Sequence, residues 1–308
     1  MSRLFGEKTK FVKAVNNVSF DVKAGEILGV AGESGCGKTT LGKTVIKLLE
    51  PDSGRIIYND VDITSLTRKE MRKFRTEMQI IFQDPYESLD PRATVYDCVA
   101  EGLKVNNLIN SKQERRAKVL DVLKKVGLEP VEDYIYEFPH NLSGGERQRV
   151  VIASALILNP RFIVADEPTS MLDVSTQANI LNLLKELNER DEITFLFITH
   201  DLSIMYIFST RVAIMYLGKI IEIGPTEDVL SSPVHPYTKA LISVVPTVCL
   251  EKKRKPIILS GETPDPADVP SGCSFHPRCP EKMAICEEEE PRMRKVSGTH
   301  YVACFKQD

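Results

Sequence analysis

Short unbroken apolar runs alternate along the chain with longer stretches in which apolar residues recur at helical spacing. Ile27–Leu28–Gly29–Val30–Ala31 is one such run, and Phe162–Ile163–Val164–Ala165 and the segment 194–199 are others. Runs of this length predict parallel strands buried on both faces. Residues 15–22 alternate instead and predict a strand that turns at Ala24–Gly25–Glu26. Pro51–Asp52–Ser53–Gly54 predicts a turn into a further strand over 55–58. Helices are predicted over residues 38–49, 114–126 and 176–189. Strands alternating with helices imply a doubly wound α/β domain.

Between Asp84 and about Pro139 the pattern changes: Pro85 and Pro91 punctuate a loop, and charged helical faces follow. This predicts a helical subdomain, about 84–156, inserted in a core domain over 1–225. After about Pro225, Pro and Ser become frequent, Lys252–Lys253–Arg254–Lys255 forms a basic knot, and residues 264–270 read as a Pro/Asp-rich linker. An appendage over 226–308 is therefore expected. No internal repeat is evident, so one catalytic unit per chain is expected. With 42% hydrophobic and 27% charged residues the chain can bury a core, and a net charge of −3 gives no basis for a nucleic-acid partner. No apolar stretch reaches the roughly 18 residues that span a bilayer. Met1–Ser2–Arg3–Leu4–Phe5 has no apolar signal region, so a cytoplasmic protein able to dock on a membrane partner is expected.

Gly32–Glu33–Ser34–Gly35–Cys36–Gly37–Lys38–Thr39 fits G-x-x-x-x-G-K-[ST] between a predicted strand and helix. The glycines let backbone N–H groups curl around a phosphate, and the helix N-terminus adds its positive end. Lys38 then reaches the β- and γ-phosphates and Thr39 ligates Mg²⁺. Alone, this loop says only P-loop NTPase. Cys36 lies at a variable loop position near the helix start, where a thiol pKa tends to fall; it reads first as a tolerated small residue, and its alkylation is expected to block the site sterically. Asp166–Glu167 ends an apolar strand, where parallel sheets bind ligands. Asp166 is placed to orient Mg²⁺ and Glu167 to polarise an attacking water. Leu142–Ser143–Gly144–Gly145–Glu146, followed by Arg147–Gln148–Arg149, reads as a second phosphate-binding helix start.

With that signature, in this order after the phosphate loop, the chain resembles ABC-type ATPases: an α/β P-loop NTPase with a RecA-like core. The resemblance implies that the signature closes over ATP held by a partner subunit in a head-to-tail dimer. It implies that ATP lies against Gly32 to Thr40, Thr40 included, and against Gln83, Asp166, Glu167 and His200. Gln83 resembles the loop glutamine that touches Mg²⁺ and relays nucleotide state, and His200 the switch histidine at the γ-phosphate. Ser170–Met171–Leu172–Asp173 resembles the segment at the dimer seam, with Met171 replacing the usual small residue. An aromatic near the N-terminus is expected to stack on adenine. Phe5 is preferred, because Phe11 could equally be a core residue.

The resemblance narrows to ATP-binding subunits of oligopeptide/dipeptide permeases. It is carried by the phosphate loop, Asp84–Pro85–Tyr86–Glu87–Ser88–Leu89–Asp90–Pro91–Arg92, Pro236–Tyr237–Thr238–Lys239–Ala240–Leu241 and Ser271–Gly272–Cys273–Ser274–Phe275–His276–Pro277–Arg278–Cys279–Pro280. Met215–Tyr216–Leu217–Gly218–Lys219–Ile220 looks more like the second of the two paired ATPases. Such a subunit works at the cytoplasmic face of the membrane with a paralogous ATPase, two membrane permease subunits and, indirectly, a substrate-binding protein. Relatives carry nickel or other small solutes. The segment after Gln83 reads as the surface that grips a membrane subunit. Cys273, Cys279, Cys286 and Cys304 crowd the C-terminal end without paired C-x-x-C spacing, and can enclose Zn²⁺ or a [4Fe–4S] cluster. Similar extensions carry the cluster, so iron–sulfur is preferred over zinc, with a structural role. The competing classes are a soluble ABC protein of translation or repair, and a regulatory subunit without turnover. Neither a second ATPase unit, a long coiled coil nor a damaged motif is present to favour them.

Overall fold

The computed structural model describes residues 11–245 and 255–306. The described residues pack as two compact units, one from residues 22–28 and 42–199, the other from 11–21, 29–41, 200–245 and 255–306.

In the first unit three parallel strands lie in register: Met78–Ile81 beside Phe162–Asp166, and Phe162–Asp166 beside Thr194–Ile198. Every residue of the last two is buried, as runs with no polar face require. The helices Val95–Val105, Lys112–Lys125 and Gly144–Leu156 lie in the stretch where the sequence predicts a helical subdomain. The first of these was not foreseen. Thr94 caps it by accepting from the Asp97 N–H, and Val95, Val99 and Leu103 are buried along one side. The strand expected over 55–58 contracts to Ile57–Tyr58, paired with Val61–Asp62. Asn59 and Asp60 both take positive φ (46° and 62°), the two-residue turn that matches strand twist. Asp173 caps the helix Val174–Asp191 by accepting from the N–H groups of Ser175 and Thr176.

The strand Ile27–Ala31, buried throughout, passes from the first unit into the second. The second unit holds an antiparallel hairpin, Arg211–Tyr216 with Lys219–Pro225. His300–Val302 pairs with the latter strand and Arg294–Ser297 pairs with His300–Val302. The appendage therefore extends the hairpin's own sheet. Glu222, fully buried, accepts from the Val234 N–H (2.8 Å), the His235 N–H (3.0 Å) and His300 Nε2 (2.9 Å). His235 is buried as well, and burial pushes its imidazole down to about 4, so it is neutral at pH 7. Its Nδ1 accepts from the Tyr237 N–H and caps Pro236–Ser243. Tyr216, Tyr237 and Phe275 form an aromatic cluster with centroids 4.7–5.4 Å apart.

The alternating segment 15–22 is not a strand. Its half-buried and exposed positions do alternate, but Asn17 takes a φ of 53° that breaks the extended path. Phe11, weighed as a core residue, is 82% exposed. Phe5 lies outside the described residues.

Candidate functional site

In the second unit the phosphate-loop sequence closes on its own lysine. Lys38 Nζ donates to the carbonyls of Gly32 (2.8 Å) and Glu33 (3.0 Å), and the side chain is buried. Gly37 has a φ of 102°, and a Cβ there would overlap the Ala14 carbonyl, so only glycine fits. The Gly218 N–H bonds the Cys36 carbonyl at 2.9 Å, fixing the loop to the hairpin turn. Ser34, Gly35 and Thr39 are exposed, Thr40 is half-buried, and His200 stands exposed where this unit resumes.

Cys36 does not show the lowered thiol pKa that a helix start tends to give. Its side chain is 3% exposed, and burial pushes its thiol pKa up despite the nearby Lys38 charge. Desolvation outweighs the helix start, so the thiol is protected rather than reactive.

Glu33 has partners that the sequence alone did not reveal. Arg278 Nη1 and Nη2 donate to its two carboxylate oxygens at 2.9 and 3.2 Å, and the Thr263 hydroxyl donates at 2.6 Å. Burial alone would raise this carboxyl, but the bonds from Arg278 and Thr263 win and hold it below the usual range. The Glu33 N–H donates to Tyr237 Oη at 3.0 Å. Tyr237 and Arg278 lie in the two C-terminal stretches quoted above, yet nothing in their local pattern points to the loop.

In the first unit, buried Asp166 ends its strand and is followed by Glu167, whose φ of 46° is left-handed. The Glu167 N–H bonds the Ile198 carbonyl at 2.9 Å, locking that conformation. Gln83 Nε2 donates to Glu167 Oε2 at 3.3 Å, so the loop glutamine and the second carboxylate are in contact. The Ser170 N–H and hydroxyl both donate to the Glu167 carbonyl, at 3.2 and 3.1 Å. Asp173, capping the next helix, has its carboxyl held low by the Ser175 and Thr176 hydrogen bonds. Met171 is exposed and Leu172 half-buried.

Leu142 is buried and Ser143 opens the signature helix with a reciprocal capping box: Glu146 N–H to Ser143 Oγ, and Ser143 N–H to Glu146 Oε2. Those Ser143 bonds lower the Glu146 carboxyl. Gly144 is half-buried, and a Cβ at Gly145 would meet Thr176 Cγ2 at 2.5 Å, so a larger residue there would make the Thr176 side chain shift. Arg147, buried, donates to the Pro139 and Leu142 carbonyls at 2.7 Å each. Its guanidinium lies 3.9 Å from the centre of the exposed Tyr86 ring. The signature and the segment after Gln83 are therefore joined through one side chain.

Cys273, Cys279, Cys286 and Cys304 line one pocket. Among the described residues no three His, Cys, Asp or Glu side chains stand so as to hold a metal ion. Neither the [4Fe–4S] cluster preferred from the sequence nor the zinc site weighed beside it is supported by this arrangement, since a metal needs its thiolates gathered about it at bonding distance. Burial pushes the Cys273 thiol up to about 11 and raises those of Cys279 and Cys304. No helix among the described residues is long and apolar enough to cross a membrane.

Residues 15–170 match the ABC transporter family, and residues 221–286 match the oligopeptide/dipeptide transporter C-terminal region. The chain is 46% identical over 306 residues to the oligopeptide transport ATP-binding protein AppF of Bacillus subtilis, covering 98% of this chain and 92% of that one. It is 47% identical to YkfD of the same organism over 299 residues, 96% of this chain and 90% of the other. Among solved structures it is similar to the ADP- and Pi-bound dimer of the ATP-binding cassette MJ0796 (34% identity, TM-score 0.62, 69% of this chain, 90% of that). It is also similar to cbiO1 of Clostridium perfringens, part of the transporter complex cbiONQ (33% identity, TM-score 0.64, 71% and 84%). The chain belongs to the ABC transporter family, as an ATP-binding subunit of the oligopeptide/dipeptide transporter type.

Proposed function

We propose that this subunit hydrolyses ATP to drive the import of di- and oligopeptides through a binding-protein-dependent ABC transporter. The observation that carries it is the conjunction of an intact phosphate loop and acidic pair with a C-terminal region of the oligopeptide/dipeptide type. The phosphate loop, Gly32 to Thr40, takes the ATP phosphates, with Lys38 at the β- and γ-positions. Glu167 is the general base, and Gln83, bonded to it, sets its orientation. His200 contacts the γ-phosphate. An N-terminal aromatic stacks on adenine, with exposed Phe11 now as fit for this as Phe5.

Mg²⁺ suits the hydroxyl of Thr39, the amide oxygen of Gln83 and the carboxylate of Asp166, all hard oxygen donors. The amide nitrogen of Gln83 is already turned to Glu167, which leaves its oxygen for the cation. The ion would neutralise phosphate charge. Leu142 to Glu146 closes over the ATP of a paralogous subunit, and Ser170 to Asp173 borders that seam. Two permease subunits, gripped through residues 84–92, hold the protein at the cytoplasmic face, and a substrate-binding protein delivers the peptide. In cells lacking this chain, labelled peptide uptake should return with the wild-type gene and not with Glu167→Gln. Restored nickel uptake with unchanged peptide uptake would select the nickel reading instead.

We propose that the four cysteines, which line one pocket, hold a [4Fe–4S] cluster, whose usual ligands are four thiolates. It would supply a structural staple, held by Cys273, Cys279, Cys286 and Cys304, for an appendage with little apolar core of its own. Protein purified without oxygen is expected to contain near-stoichiometric iron and sulfide. Zinc alone, or no metal, would end the cluster assignment and leave the ATPase standing.

A further inference from the structure

The phosphate loop is held by side chains that lie more than two hundred residues further along the chain. Glu33 is the point of attachment. Its carboxylate receives a two-pronged bond from Arg278 and a third bond from Thr263, and Arg278 Nη1 also reaches the Thr263 hydroxyl at 3.1 Å. Arg278 is itself 9% exposed. A planar guanidinium meeting a carboxylate through both prongs fixes direction as well as distance, unlike a lysine's point charge. Below the carboxylate, the Glu33 carbonyl and its neighbour at Gly32 receive the Lys38 ammonium. The Glu33 N–H is taken by Tyr237, whose ring packs on Phe275 three residues before Arg278. Both faces of one loop residue are therefore set from the C-terminal region.

We propose that Arg278 is a positioning residue for the ATP site: through the Glu33 carboxylate it fixes the two carbonyls that aim Lys38. This rests on the reading of Gly32 to Thr39 as the loop that takes the phosphates of ATP. Arg278 acts through Glu33, whose carboxylate it bonds. It sits between Cys273 and Cys279, so the segment that carries the cysteines also orients the phosphate loop.

The test uses the full-length chain, purified without oxygen, with ATP affinity measured by titration and stability by urea unfolding. Arg278→Met is expected to weaken ATP binding about tenfold, and Glu33→Gln by a similar factor. The double variant should be no weaker than the worse single one, because both changes break the same link. Arg278→Lys should recover only part of the affinity, since it restores charge without the fork. If Arg278→Met does not fold, Glu33→Gln and Arg278→Lys carry the same comparison. A lowered urea midpoint with unchanged ATP affinity would make Arg278 a staple of the fold and overturn the inference. So would additive losses in the double variant. If the wild-type chain binds no ATP, the phosphate-loop reading fails and takes this inference with it.

Discussion

Glu167→Gln is expected to lower ATP turnover about a hundredfold or more while leaving ATP binding intact. The replacement is isosteric and keeps an oxygen for the Gln83 amide, so the 3.3 Å contact can persist. The backbone requirement is unchanged too, because glutamine and glutamate have the same branching at Cβ. What is removed is the carboxylate's basicity. The loss should therefore fall on turnover and not on affinity, the pattern of a group that acts on the transition state. Phosphate release and ATP titration on the same preparation separate the two. Turnover within about tenfold of wild type would remove Glu167 from the role of general base.

Glu222→Ala is expected to destabilise the second unit by about 3–5 kcal/mol, read as a fall in its urea midpoint. Glu222 is fully buried and gathers three donors: the N–H groups of Val234 and His235, and His300 Nε2. Removing the carboxylate strands all three in a site closed to water, each at the cost of an unmet buried polar group. These donors come from three places: the turn after Thr226–Ser231, the cap of Pro236–Ser243, and the strand His300–Val302. The variant should thus loosen the whole C-terminal packing, with lost protection of amides on His300–Val302 and Pro236–Ser243. A midpoint within about 1 kcal/mol of wild type would show that these donors find other partners.

The central strands were legible because a strand buried on both faces has no polar position to confuse its period: Phe162–Asp166 and Thr194–Ile198 fall where the apolar runs predict. The phosphate-loop candidates stand out in the sequence because phosphate binding restricts residue type locally, with glycine where φ is positive and lysine and threonine at the helix start. The helix Val95–Val105 is not marked in the sequence as its neighbours are: Val95, Val99 and Leu103 stand at helical spacing, but Pro85 and Pro91 just before them give the stretch the signature of a loop. Residues 15–22 failed for the opposite reason, since alternation without a ladder is only a half-buried chain. The partners of Glu33 could not be read at all. Arg278 and Glu33 are separated by 245 positions, and a long-range ion pair leaves no period in either segment. The cysteines showed their shared pocket by crowding, but not how closely they approach one another.

At Glu167 the chain places a β-carbon in a left-handed backbone, held there by the Ile198 carbonyl. That conformation costs a non-glycine residue on the order of 1 kcal/mol. Glycine would adopt it freely, and a sequence shaped by stability alone would carry glycine at this position. The fold is thus slightly weaker than it could be at the residue assigned to the reaction, a standing trade of robustness for activity confined to a single torsion angle.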